Sequence, residues 1–134
     1  MRLVVTGGRD LSNVPMVQDA FNAFQIHVGP ITVLIHGDAE GLDRTAAWVA
    51  ANQIPGCLIL TYPADWHNVT CAGANIGYRR GMPYNKLAGF WRNQKMIDDG
   101  KPDWGMVFPG GPGTADMTGR LEAQLGKDKI WYVK

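Results

Sequence analysis

Five short apolar runs, each separated from the next by a stretch of helical periodicity, restrict this chain to an α/β fold. The runs are Leu3-Val4-Val5, Thr32-Val33-Leu34-Ile35, Cys57-Leu58-Ile59-Leu60, Trp104 to Phe108, and Ile130-Trp131-Tyr132-Val133. Most are continuously apolar rather than alternating, the pattern of strands covered on both faces in a parallel sheet. Between them, Val14, Val17, Phe21 and Phe24 share a helical face, with Ser12 or Asn13 as the cap and Pro15 in the first turn. Leu42, Thr45, Ala46 and Val49 form a second stripe, Leu87, Phe90 and Ile97 a third, and Met117, Leu121 and Leu125 a fourth. The order βαβαβαβαβ predicts an open parallel sheet with right-handed crossovers, helices on both faces and the strand order 3-2-1-4-5.

At 134 residues, 46% of them hydrophobic and 19% charged, the chain is expected to form one domain over residues 1–134 with a hydrophobic core. From about Trp66 to Asn85 the sequence has little periodicity and is rich in Gly, Asn and Tyr. Such a stretch reads as a long loop at the carboxyl edge of the sheet, suited to a lid or an oligomer contact. The formal net charge of +1 gives no general electrostatic reason to bind nucleic acid or an anionic membrane. The amino-terminal run is too short for a signal peptide and no run approaches transmembrane length, so the expectation is a cytoplasmic protein. Cys57 opens an apolar run and Cys71 sits in a polar stretch, which gives neither a disulfide framework nor a metal spacing. No cofactor or metal is called for. Pairing of this architecture through helices makes a homo-oligomer the expectation.

Chemistry concentrates where the predicted strands end. Pro109-Gly110-Gly111-Pro112-Gly113-Thr114 follows the fourth run directly and precedes a helical segment reaching about Leu125. Glycines let backbone approach a ligand closely, and the first turn of a helix offers unpaired N–H groups and a positive dipole end. A phosphate is the expected guest. Two further glycine-bearing loops, Gly7-Gly8-Arg9-Asp10 and His36 to Arg44 with Gly37, Asp38 and Asp43, leave the same edge. With strands one and four adjacent at the switch point, the first loop and the Pro109 turn face each other across one crevice.

Each polar residue of these loops has two readings. Arg9 pairs with a phosphate through its planar fork, or forms a structural salt bridge to Asp10 or Asp38. Thr114 donates to a phosphate, or is a plain helix cap. Asp38 and Asp43 suit ribose hydroxyls or a base edge, and capping of the second helix serves one of them equally well. His36 is a general base or a hydrogen-bonded scaffold residue. Trp66 stacks on a base or packs under the long loop. Arg92, beside Asn93 on the third helix, approaches the phosphate or ribose from the helix side, or lies in water. The same choice holds for Arg79-Arg80: a second phosphate, or solvent.

Taken in order, these residues resemble a known family. Gly7-Gly8-Arg9-Asp10, His36-Gly37-Asp38-Ala39 with Gly41 and Asp43-Arg44, Pro63-Ala64-Asp65-Trp66, Arg92-Asn93-Gln94 with Met96, Pro102-Asp103, and Phe108 to Met117 with Asp116 are similar to the YspA-like, cpYpsA-related branch of the SLOG superfamily. That Rossmann-like group includes the LOG phosphoribohydrolases and the DNA-processing DprA proteins. The resemblance implies a Rossmann-like sheet whose glycine loops bind nucleotides or their derivatives.

One departure bears on mechanism. LOG enzymes cut the bond between base and ribose 5′-phosphate, and their motif continues Pro-Gly-Gly-x-Gly-Thr-x-x-Glu, with the glutamate needed for catalysis. Met117 stands at that position. Glycosidic cleavage calls for a carboxylate near the anomeric carbon, and Asp116 is turned by about 100° on the helix, so it faces elsewhere. Asp10, Asp38 or Asp65 is left as a substitute. The preferred expectation is therefore a module that binds a nucleotide-derived small molecule, of the ADP-ribose or cyclic ADP-ribose type, as a sensor or sequestering protein. A hydrolase of a nucleotide N-glycosidic bond using another carboxylate is the alternative.

Overall fold

The computed structural model describes residues 1–134, and their order is set by which apolar runs can be covered on both faces. Strand β1 (Arg2–Thr6) leads to helix α1 (Val14–His27), β2 (Val33–His36), α2 (Leu42–Gln53) and β3 (Leu58–Thr61). A hairpin of β4 (Ile76–Arg79) and β5 (Met82–Asn85) follows, then α3 (Ala88–Asp98), β6 (Trp104–Val107), α4 (Pro112–Leu125) and β7 (Ile130–Tyr132). The main sheet has five parallel strands in the order β3-β2-β1-β6-β7. This is the expected 3-2-1-4-5 arrangement, renumbered because the two hairpin strands are counted before β6. The Rossmann-like reading of the fold holds.

Alternation along β1 divides the core in two. Leu3 and Val5 turn to one face, where they meet Phe21 and Phe24 of α1 and Ala46 and Val49 of α2. Val4 turns to the other face, with Met96 and Ile97 of α3 and Met117 and Leu121 of α4. Phe21 and Phe24 are fully buried, each worth about 1.5–3 kcal/mol relative to exposure. Asn13, rather than Ser12, caps α1: its Oδ1 accepts from the Met16 amide at 3.1 Å. No helix is long and apolar enough to cross a membrane.

Three expectations need correction. Only the first half of the stretch from Trp66 to Asn85 is a loop: residues 66–75 carry no helix or strand, whereas residues 76–85 fold into the antiparallel β4–β5 hairpin with Ile76 opposite Asn85 and Arg79 opposite Met82. Helix α3 buries Ala88, Gly89, Asn93, Met96 and Ile97, whereas Leu87 and Phe90 are only half-buried. It presses its small residues inward and turns Phe90 toward a cleft. Strand β3, at the sheet's edge, is only partly covered: Ile59 and Leu60 pack against the two core clusters, but Leu58 is left 55% exposed.

Candidate functional site

The site begins with the pairing of β1 and β6. Thr6 lies opposite Val107, so the loops that follow leave the carboxyl edge side by side. The Gly8 amide donates to the Pro109 carbonyl at 2.9 Å and fastens one loop to the other. The Gly8 carbonyl in turn accepts from the Leu42 amide at 3.1 Å, at the start of α2. Gly41, the residue before it, has φ +78, and a Cβ there would collide with the Arg9 backbone. Three loops are thereby locked around one cleft of about 1720 Å³.

Gly7, Gly8, Arg9 and Asp10 line one side of this cleft, and Pro109, Gly110, Gly111, Gly113 and Thr114 line the side facing it. Their glycines have different physical tasks. A Cβ on Gly7 would lie 2.5 Å from Leu42 Cγ and 2.9 Å from Phe108 Cβ, so this glycine serves packing. Gly110 is pressed against the Thr114 side chain and the Gly8 amide. Gly111 and Gly113, by contrast, face open space. Helix α4 starts with Gly111 at its cap and Pro112 in its first turn, with no side-chain cap. Thr114 is thus not the cap. The amides of Gly111, Gly113 and Thr114 donate to no protein acceptor, and the positive end of the α4 dipole lies with them.

Asp43, Arg92 and Asn93 complete the floor. Asp43 Oδ2 accepts from the amides of Gly37 at 3.0 Å and Ala39 at 3.3 Å, so the carboxylate braces the β2–α2 loop rather than capping α2. Burial pushes its carboxyl up from the ordinary aspartate value, against the pull of those amides and of Arg92. Arg92 donates through Nη1 to the Gly37 carbonyl and through Nε to Asn93 Oδ1 at 3.0 Å. It is therefore no solvated helix arginine. Burial lowers its guanidinium, Asp43 opposes that, and the like charge of Arg9 adds to it.

The remaining wall comes from Trp66 and the hairpin. Arg9 forms no ion pair with Asp10 or Asp38; its guanidinium lies 5.6 Å over the Trp66 ring. Trp66 meets Tyr84 edge to face at 6.3 Å and rests against Gly89, where a Cβ would come within 2.9 Å of the indole. Trp66 packs under the hairpin, as one of its two readings has it, and it also lines the cleft. Asn85, 1% exposed, anchors the hairpin base: its Oδ1 accepts from the amides of Asn75 and Leu87 at 3.2 and 3.1 Å. Tyr84 and Lys86 also line the cleft. Neither stands out in the sequence, because no periodic pattern marks the hairpin that carries Tyr84 and directly precedes Lys86.

Three expected residues lie outside the lining. Gly37 sits beneath Arg92, where a Cβ would strike the guanidinium. Asp38, with φ 56, turns away to a 3.4 Å ion pair with the exposed Arg44. Asp116 accepts from Arg120 Nε at 2.8 Å and from Asn93 Nδ2 at 3.0 Å, tying α4 to α3 behind the cleft. His36 is buried, accepts from the Asp38 amide at Nδ1 and meets Thr61 Oγ1 at 2.9 Å through Nε2. With both ring nitrogens engaged it is scaffold. Met117 is fully buried in the core beneath α4.

Five cationic side chains, Arg9, Arg79, Arg80, Lys86 and Arg92, line the cleft against the two carboxylates of Asp10 and Asp43. None of the five takes part in an ion pair. An excess of positive charge therefore borders an open glycine turn whose backbone amides have no protein acceptor. A model of the YspA, cpYpsA-related SLOG family (YAcAr) matches residues 1–68, half of the chain. The chain belongs to this SLOG family. The matched segment carries the Gly7–Asp10 loop, the β2–α2 loop and Trp66, while the Pro109–Thr114 turn and the hairpin lie beyond it. No curated protein and no solved structure matches the chain.

Proposed function

We propose that this SLOG protein binds a nucleotide-derived small molecule of the ADP-ribose or cyclic ADP-ribose type and holds it intact, as a sensor or sequestering protein. The observation that carries the reading is the open turn at Gly111 and Gly113, whose free amides face the Gly7–Asp10 loop across a cationic cleft. Membership of the SLOG family suggests a nucleotide-related ligand. In this picture the diphosphate sits at the start of α4, Arg9 and Arg92 balance its charge, and a base lies against Trp66.

The placement of the acids supports retention without turnover. The position of the LOG glutamate is Met117, a fully buried core residue that reaches no ligand. The two carboxylates on the cleft are Asp10 and Asp43, and Asp43 has one oxygen occupied by two backbone amides. Hydrolysis of an N-glycosidic bond remains the competing reading because the Asp43 carboxyl, raised by burial, borders the cleft.

Thermal denaturation with and without ADP-ribose tests both. At a ligand concentration of about 100 times Kd the folded state gains ~2.7 kcal/mol, and mass spectrometry afterwards recovers ADP-ribose unchanged. Gly113→Trp fills the open turn, so it abolishes the shift while the unliganded melting temperature stays near that of the parent. Steady release of free base or ribose phosphate would establish the hydrolase instead.

A further inference from the structure

The β4–β5 hairpin contributes no strand to the main sheet. Arg79 pairs with Met82, so only Arg80 and Gly81 form the turn, and both have positive φ, 53 and 77. This is the left-handed pair that suits the twist of a tight hairpin, and Asn, Asp or Gly normally fills its first position. Arg80 instead holds a long, β-carbon-bearing side chain in a conformation that L-residues disfavour. Residues kept in such regions cluster at functional sites. The pairing register puts Arg79 and Tyr84 on one face of the ribbon, and both line the cleft together with Arg80 and Lys86.

Charge at this wall answers nothing in the protein. The ion pairs of the chain are Arg44–Asp38, Lys95–Asp99 and Arg120–Asp116, so Arg79, Arg80 and Lys86 have no carboxylate partner. Arg79 lies 6.0 Å over the Tyr84 ring and Arg9 5.6 Å over the Trp66 ring. The two rings meet edge to face at 6.3 Å. Cations therefore stand at both ends of one aromatic pair: Arg9 beside the glycine turns, Arg79 and Arg80 on the hairpin.

We propose that Arg79 and Arg80 form a second anion subsite, and that the preferred ligand is a nucleotide derivative carrying a further phosphate beyond those held at the glycine turn. The inference rests on the nucleotide reading of the cleft given above and adds the ligand's charge pattern to it. Guanidinium forks suit a terminal phosphate, which accepts two parallel hydrogen bonds from each.

Isothermal titration with two matched pairs tests it: ADP-ribose against its 2′-phosphate, and AMP against adenosine 3′,5′-bisphosphate. The wild-type protein should bind the more phosphorylated member of at least one pair about tenfold more tightly. That ratio should fall to about one in Arg79→Ala/Arg80→Ala. Arg80→Asn places a residue tolerant of left-handed backbone at the turn, so it should keep or raise the melting temperature while reducing the ratio. Equal affinity within both pairs, or a ratio intact in the double variant, overturns the second subsite and leaves the first standing. If AMP and ADP-ribose both fail to bind the wild type, the nucleotide reading falls and the subsite with it. Tighter binding of a single-stranded RNA oligonucleotide than of all four ligands overturns the proposal in favour of a nucleic-acid groove.

Discussion

His36 shows how one side chain can look chemical in sequence and be structural in space. It ends β2, where a general base would be well placed, yet both ring nitrogens are bound by the fold itself. Nδ1 accepts from a backbone amide, so the proton of the neutral ring is on Nε2, facing Thr61 Oγ1. Burial pushes the imidazole below its usual 6.5, Arg92 and Arg44 push the same way, and Asp38 opposes them. The unfolded chain therefore binds the proton more readily than the folded one. The His36 contribution is complete above pH 6.5 and is lost as pH falls through the lower folded value, with a slope of at most about 1.4 kcal/mol per pH unit. Asp43, raised by burial, acts with the opposite sign from 3.8 upward, so the two are separated by substitution. Denaturant unfolding between pH 8 and 5 should show a stability loss on acidification that His36→Gln flattens. An unchanged slope in the variant would place the proton uptake elsewhere.

At the scale of elements, the helices and central strands were legible because their burial follows simple periods. The five strands and their order emerge from continuous apolar runs, and α1 from Asn13, Pro15 and the Val17–Phe21–Phe24 face. The hairpin was hidden for a physical reason. Ile76-Gly77-Tyr78-Arg79 and Met82-Pro83-Tyr84-Asn85 lack clean alternation, one strand carries a proline, and the turn is Arg-Gly rather than Asn-Gly. Asn85 supplies what the pattern lacks, through two hydrogen bonds to backbone amides at the hairpin base. Removing it leaves those amides unpaired at a cost of about 1–3 kcal/mol. A two-stranded ribbon has little stability of its own, so the loss should open the ribbon before the five-stranded sheet. Hydrogen exchange of residues 76–85 is expected to speed up by tenfold or more in Asn85→Ala, with strands β1, β2 and β6 still protected. Uniform deprotection of both sheets would mean that the hairpin belongs to the main cooperative unit.

For the whole molecule, net charge proved a poor guide to where charge acts. A formal +1 over 134 residues gives no general reason to bind nucleic acid or an anionic membrane, yet five cations and two carboxylates gather around one cleft. The excess of three positive charges there is balanced by a negative remainder elsewhere. Sequence separation hid the gathering: Arg9, Arg79, Arg92 and the Pro109 turn come from four distant segments, joined only when β1 and β6 pair and the hairpin folds over the sheet edge. A field of this kind acts through solvent and is shortened by salt, from a Debye length of about 14 Å near 50 mM to about 4 Å near 500 mM. The core, by contrast, rests on two apolar clusters indifferent to ions. Raising NaCl over that range should therefore weaken ADP-ribose binding by about tenfold, while the melting temperature of the unliganded protein hardly moves. Affinity independent of salt would mean that the ligand is held by the glycine-turn amides and ring contacts alone, with no contribution from the cleft's arginines.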